Sequence, residues 1–168
     1  MANYRTTTIR STGMKMLKVD GKRLVRPEDR DQLEFTPEGL VLEHGEPDIL
    51  YLNDGTGRFT AVPWTGGTFL DEEGQPLKRA PRDWGLSVAF RDLNGDGRPD
   101  VYVCNDFWSA DRIWLNECRR GLVQFRALPR NALRHTSTFS MGVDFADLNR
   151  SPAISRKRAR SVTMRRWH

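Results

Sequence analysis

"WGLSVAFRDLNGDGRPDVYVCNDFW", residues 84–108, is two short runs of β-type residues on either side of an acidic, glycine-bearing loop. Both runs are short, apolar and of β type, and Gly, Asn, Asp and Pro mark the segment between them, so the stretch reads as strand, loop, strand. Within the loop, oxygen-bearing side chains fall on alternate positions, Asp92, Asn94 and Asp96, with Asp100 closing the series and Gly97 where the chain must bend. A hard divalent cation takes six to eight oxygens at roughly 2.3–2.6 Å, which makes calcium the natural occupant of such a series. The expected ligands are the side-chain oxygens of Asp92, Asn94, Asp96 and Asp100 and the main-chain carbonyl of Arg98, whose guanidinium would point outward. An EF-hand is excluded, because the twelfth position counted from Asp92 is Val103, where a bidentate Glu belongs, and a strand rather than a helix follows. Converging carboxylates repel one another without a cation. Metal binding would therefore stabilise the loop by mass action and set the register of the flanking strands, which is scaffold work.

Outward from this loop the chain continues to read as strands. "KMLKVDGKRLVR", residues 15–26, alternates apolar and charged residues about Asp20-Gly21, a pair that accepts positive φ in a tight hairpin turn. Met16, Leu17, Leu24 and Val25 would be available to cover a neighbouring sheet. "DILYLNDGTGRFTAV", residues 48–62, repeats the pattern about a longer turn, and "RIWLNE" with "LVQFRAL", in residues 112–128, makes another pair. Only Pro27–Leu33 carries the signs of a helical turn, with Pro at its start and acids in its first turn. The fold class is all-β, with antiparallel strands and almost no helix expected over residues 48–149.

These segments recur. With Asp92 set on Asp147, "WGLSVAFRDLN" overlays "FSMGVDFADLN", matching Trp84 with Phe139, Val88 with Val143 and Phe90 with Phe145. "LYLNDGTGRFTAVP" from Leu50 overlays "IWLNECRRGLVQFRALP" from Ile113, matching Leu52 with Leu115, Asn53 with Asn116, Phe59 with Phe125 and Pro63 with Pro129. Ala2 to Tyr4, "ANY", falls where Cys104 to Asp106, "CND", falls in the next copy. Strand-built units repeating at this spacing point to propeller blades or a β-array.

"FRDLNGDGRPDVYVCND", followed by hairpins of the "LYLNDGTGRFT" kind, resembles the FG-GAP/VCBS repeat, the blade unit of integrin-α-type β-propellers. This copy further resembles bacterial secreted proteins that join such repeats to an ASPIC/UnbV domain. The resemblance covers about residues 1–149. It implies a partial β-propeller with one nearly complete blade, about Trp84 to Pro129, the outer part of the blade before it and the first strand of the blade after it. Residues 5–47 would be an insertion between blade strands. The resemblance also implies an extracytoplasmic, secreted setting, although this chain carries no signal peptide of its own, and a protein or carbohydrate ligand. The expected function is a calcium-stabilised scaffold or interaction module, or else a non-catalytic fragment of a larger secreted enzyme.

Composition narrows the alternatives. The chain of 168 residues carries a net charge of +5, which by itself suggests nucleic acid or an anionic surface. Seven of the 27 basic residues lie in positions 150–168, which hold no acid; without them 20 basic residues face 22 acidic ones, a net of −2. The body is thus mildly acidic, as suits a cation binder, and nucleic-acid binding would rest on the Arg-rich tail alone, with Trp167 to stack on a base. No run approaches the roughly 18 apolar residues of a membrane span. Catalysis is not expected: Asp71, Glu72 and Glu73 form a solvated turn, and His44, His135 and His168 stand singly. Cys104 and Cys118 are too few for a disulfide framework and lack zinc spacing, which leaves buried small residues, bystanders, or one bridge in an oxidising compartment.

Both ends read as cut. Asp147-Leu148-Asn149 opens a second ligand series, but Ser151, Pro152 and Ala153 follow where acids belong, and "SPAISRKRARSVTMRRWH" loses the strand alternation. A disordered basic tail or translation out of frame would give this composition; the second fits better, because the change splits a strand pair rather than falling at a domain boundary. At the start, Met1 stands where the residue matching Val103 would be. The rest of a propeller is expected to lie outside this chain, leaving open strand edges that argue against a stable monomer.

Overall fold

Among the described residues, eleven short strands carry the chain, broken by one turn of α-helix, Ile9–Thr12 (α1), and one 3₁₀ turn, Pro27–Asp29. The computed structural model describes residues 2, 7–129, 132, 136 and 139–146. The second ligand series at Asp147–Asn149, the basic tail and most of residues 1–6 lie outside them.

The first strands form three separate hairpins. Met16–Val19 (β1) pairs antiparallel with Lys22–Val25 (β2), and the turn between them puts Asp20 at φ 49° and Gly21 at φ 77°, as the Asp-Gly pair foretold. The expectation that this hairpin covers the blade is not met: Leu17 and Leu24 are exposed, and Leu33–Phe35 (β3) is the strand that β2 packs against. β3 pairs with Val41–Glu43 (β4). Tyr51–Asn53 (β5) pairs with Phe59–Ala61 (β6), and in the turn between them the side-chain Oδ1 atoms of Asn53 and Asp54 accept the N–H groups of Gly55 and Thr56.

The main sheet has five strands: Phe69–Leu70 (β7), Gly85–Arg91 (β8), Asp100–Asn105 (β9), Arg112–Asn116 (β10) and Phe125–Ala127 (β11), in the spatial order β7-β11-β10-β9-β8. β8 to β11 run antiparallel to their neighbours in sequence order, the meander expected of one blade. β7 was not legible beforehand. It joins β11 in parallel, with Phe69 opposite Phe125, and so amends the wholly antiparallel expectation.

The register sorts side chains into two faces, as the two-residue period of a strand requires. Phe90, Val101 and Trp114 align across β8, β9 and β10; Val101 and Trp114 pack with Val62, Phe69, Val103, Phe125 and Ala127 into one core, while Phe90 is exposed. Aromatic rings dominate it: Phe69 lies 5.1 Å from Trp114, edge to face, and 4.1 Å from Trp64. Such pairs add about 0.5–1.5 kcal/mol each beyond area burial. The opposite face carries Tyr102, Cys104 and Ile113, and against them lie Val143 and Phe145 from the start of the next repeat. Both cysteines are free thiols, Cys104 buried and Cys118 half-buried, so no bridge joins them. Trp84, buried just before β8, donates its indole N–H to the Glu43 carbonyl at 3.0 Å, which ties the insertion to the blade.

Candidate metal centre

The acidic loop spans the turn from β8 to β9, where the ladder ends at Arg91 opposite Asp100. Gly95 and Gly97 adopt φ 79° and 83°, a left-handed conformation that side-chain-bearing residues avoid. These two bends fold the loop amides back over Asp92. Its Oδ1 accepts the N–H of Gly95 at 2.7 Å and of Asp96 at 3.1 Å, and its Oδ2 accepts that of Gly97 at 2.8 Å. Desolvation is the largest single influence on Asp92 and pushes its carboxyl up, but the backbone N–H groups of Gly97, Gly95, Asp96 and Asn94 together outweigh it and hold the group below its ordinary value.

Asp100 sits at the base of the loop and is fully buried. Its Oδ2 accepts the Leu93 N–H at 2.8 Å and its Oδ1 the Asn116 N–H at 2.7 Å, so one carboxylate pins the loop to both β8's end and β10. Burial, first, and then the repulsion of Asp96 and Asp92 push this carboxyl up, while the Asn116 and Leu93 amides oppose the rise. The three loop acids therefore feel one another. Asn94 donates its Nδ2–H to Asp96 Oδ2 at 2.8 Å.

One expectation needs correction. Arg98 does not send its charge outward: its Nη2 lies 2.6 Å from Asp96 Oδ2 and its Nε donates to the Asn116 carbonyl at 2.8 Å. An acidic loop draws in the nearest cation, and the guanidinium two residues away is within reach. Among the described residues no three acidic, His or Cys side chains converge as a metal cage. In this conformation Asp96 faces Arg98, Asp92 faces the loop amides and Asp100 faces the sheet.

The donor set nevertheless suits a hard cation in kind. Every donor is an oxygen, and each oxygen of Asp100 and Oδ2 of Asp92 carries a single N–H partner, which leaves carboxylate lone pairs to spare. The Arg98 guanidinium occupies the place of a cation at Asp96, which a metal ion would have to take over.

A buried polar cluster at the opposite end of β9 from the loop went unread in the sequence. Asp111, just before β10, accepts the Tyr102 hydroxyl at 2.7 Å and the Ser140 hydroxyl at 2.8 Å on Oδ2, and the Asn105 N–H at 2.9 Å on Oδ1. Ser140 belongs to the following repeat, so Asp111 clasps one repeat to the next. The overlay that matches Leu50 with Ile113 also places Asp48 on Asp111, and the one that matches Trp84 with Phe139 places Gly85 on Ser140. The first pair touches as the second does: a Cβ on Gly85 would lie 2.3 Å from Asp48 Oδ1. That recurrence was the signal available in the sequence.

Two copies of the model of the FG-GAP-like repeat match residues 40–103 and 92–150, overlapping on the acidic loop and β9. The chain belongs to the FG-GAP-like repeat family. No curated protein and no solved structure matches it. The antiparallel meander β8 to β11, the preceding β5-β6 pair and the start of a following repeat on the far face of the sheet make this FG-GAP-like chain a partial β-propeller. No helix among the described residues is long and apolar enough to cross a membrane.

Proposed function

We propose that this FG-GAP-like segment is a calcium-stabilised, non-catalytic scaffold that presents a surface to a protein or carbohydrate partner. The observation that carries the reading is Asp100, a fully buried carboxylate at the root of an oxygen-rich loop, pressed by the charges of Asp92 and Asp96. A divalent cation would relieve that repulsion where sodium-strength screening cannot reach. Asp92, Asn94, Asp96 and Asp100, with the Arg98 carbonyl, would hold it, and it would contribute charge neutralisation and stiffening of the turn between β8 and β9. FG-GAP repeats are typically extracellular, where calcium is plentiful, and the resemblance to secreted proteins with an ASPIC/UnbV domain fits the same setting. The acids Asp71, Glu72 and Glu73 support a non-catalytic reading, since Asp71 Oδ1 only closes a turn on the Glu73 and Gln75 amides.

Thermal unfolding of the purified chain against calcium tests this. At a calcium concentration a hundred times the dissociation constant the ion adds about 2.7 kcal/mol, an upward shift of about 5–10 °C for a chain of this size. Asp92→Ala and Asp96→Ala should abolish the shift, Asp147→Ala should leave most of it, and magnesium, which demands octahedral geometry, should substitute poorly. A midpoint indifferent to calcium, with Asp96→Ala behaving as the parent, overturns the metal reading and leaves a polar turn.

A further inference from the structure

The connection from β9 to β10, residues 106–111, carries two adjacent aromatic residues, and the fold holds one of them out in solvent. Trp108 is 66% exposed, yet its indole N–H donates to the Glu43 carbonyl at 3.2 Å. Phe107 beside it sits at φ 53°, a left-handed conformation that a bulky side chain enters only where its surroundings impose it. Those surroundings are fixed. The Asp106 N–H donates to the Trp84 carbonyl, the Ser109 N–H to the Asp106 carbonyl, and the Trp84 N–H to the Ser109 hydroxyl. Phe107 thereby joins three rings: it lies 5.8 Å from Trp108 with 31° between the planes, 6.2 Å from the exposed Phe139, and edge to face with the buried Trp84 at 5.3 Å. The half-buried Asp106 adjoins them in the chain, and among the described residues its carboxylate has no hydrogen-bond or ion-pair partner.

We propose that these rings are a carbohydrate-binding platform, on which a neutral pyranose lays its apolar C–H face against Trp108 and Phe107 while its hydroxyl groups donate to the Asp106 carboxylate. The platform stands at the end of the sheet away from the acidic loop, where β9 ends and β10 begins. Neighbouring repeats cover faces of the sheet instead: Val143 and Phe145 lie against one, Val62 and Phe69 against the other. A further repeat stacked in the same manner leaves this end uncovered. The indole N–H is already spent on Glu43, so Trp108 offers a ligand its ring face. A sugar needs no more there, because its C–H groups rest on a π face without hydrogen bonds and its hydroxyls suit a carboxylate. An extended peptide would need main-chain partners, and the Asp106 and Ser109 amides are taken up within the fold. A quaternary ammonium ion is held by rings that enclose it, whereas adjacent rings tilted by 31° make a broad surface. The unpaired carboxylate repels uronic and sulfated glycans, which is why the sugar is neutral. The inference rests on the interaction-module reading and not on calcium.

The probes are cellohexaose, mannohexaose and a linear galactan oligosaccharide, each titrated into the full chain by isothermal calorimetry, once in calcium and once in chelator. Saturable binding of at least one of them at millimolar concentration or below is expected. Trp108→Ala should abolish that binding, and Trp108→Phe, which keeps a ring face, should retain part of it. Asp106→Ala should weaken it about tenfold, as befits a lost hydrogen bond to a charged group. The melting midpoints of these surface variants should stay near that of the parent, which separates a lost platform from lost folding. Binding that survives in chelator upholds the platform even where the metal reading fails. No saturable binding of any of the three sugars, or a Trp108→Ala chain that binds as the parent does, overturns the proposal and leaves the scaffold reading to the calcium-dependent thermal shift. So does tetramethylammonium chloride that binds through Trp108 while the sugars do not, which would make the rings a cation site.

Discussion

Tyr102→Phe removes a single oxygen from the buried polar cluster around Asp111. The phenol is fully buried, and its hydrogen bond to Asp111 Oδ2 is 2.7 Å long. A hydrogen bond to a charged group contributes about 1.5–3 kcal/mol. Asp111 keeps two other donors, the Asn105 amide and the Ser140 hydroxyl, so the lower half of that range applies, about 1.5–2 kcal/mol. For a chain of this length that lowers the melting midpoint by about 3–8 °C, measured by circular dichroism at 218 nm or so, in the β region. A second readout separates the hydrogen bond from simple packing. Burial, foremost, and then the Asp111 carboxylate push the Tyr102 phenol well above its ordinary value. A raised phenol keeps its proton in the fold, so its stabilisation is complete below the unfolded value of about 10. It is lost as pH rises beyond that, because the unfolded chain then binds fewer protons than the native one. The gap between parent and Tyr102→Phe should therefore be constant from neutral pH to about 9.5 and shrink above it. A variant as stable as the parent at neutral pH refutes the clasp, and a gap that widens with alkali refutes its electrostatic basis.

Two glycines offer a graded steric test. Gly45→Ala would set a Cβ 2.0 Å from the Asp83 carbonyl oxygen, against backbone that cannot retreat, whereas Gly85→Ala would meet the Asp48 carboxylate at 2.3 Å, against a side chain that can turn aside; urea unfolding should find the first the more costly, by about 1 kcal/mol or more. Arg98→Gln removes the guanidinium that pairs with Asp96, so under the proposed metal reading calcium should bind a few-fold more tightly, the modest worth of an exposed ion pair; weaker binding by calorimetry would show that Arg98 organises the loop rather than competing with the ion.

What the sequence made legible was whatever repeats or alternates locally. The runs about Asp92–Asp100 became β8 and β9, and Asp20-Gly21 turned where a left-handed pair must. What escaped depended on contacts far apart in the chain. Phe69–Leu70 is too short to carry a period, and only Phe125, 56 residues on, makes it a strand. The charge of Arg98 was misdirected because alternation predicts which face a side chain leaves from and not which partner it meets. Asp111 stood out by no local pattern, because what encloses it is Tyr102 and Ser140, far from it in the chain. Asp100 was named as a ligand, yet its burial and its hold on Asn116 follow from the position of β10, which the loop sequence does not contain.

The same repeat positions meet opposite fates in the two copies, and the contrast locates the source of stability. Trp114 and Phe125 are 2% and 5% exposed, while their counterparts Tyr51 and Phe59 are 41% and 64% exposed. The residue types and the hairpin are alike in both; what differs is that Trp114 and Phe125 have Val62 and Phe69 from the preceding repeat laid over them, and no described segment lies over Tyr51 and Phe59 in that way. Burying a large apolar side chain contributes about 1.5–3 kcal/mol, so the hairpin β5-β6 forgoes several kcal/mol that β10-β11 collects from its neighbour. A blade of this kind is thus stabilised across its faces more than within its own strands, as in other stacked repeats. It follows that Phe125→Ala should destabilise the chain by about 3–5 kcal/mol in urea unfolding while Phe59→Ala costs much less, and equal costs for the two would refute a stability drawn from the neighbouring repeat.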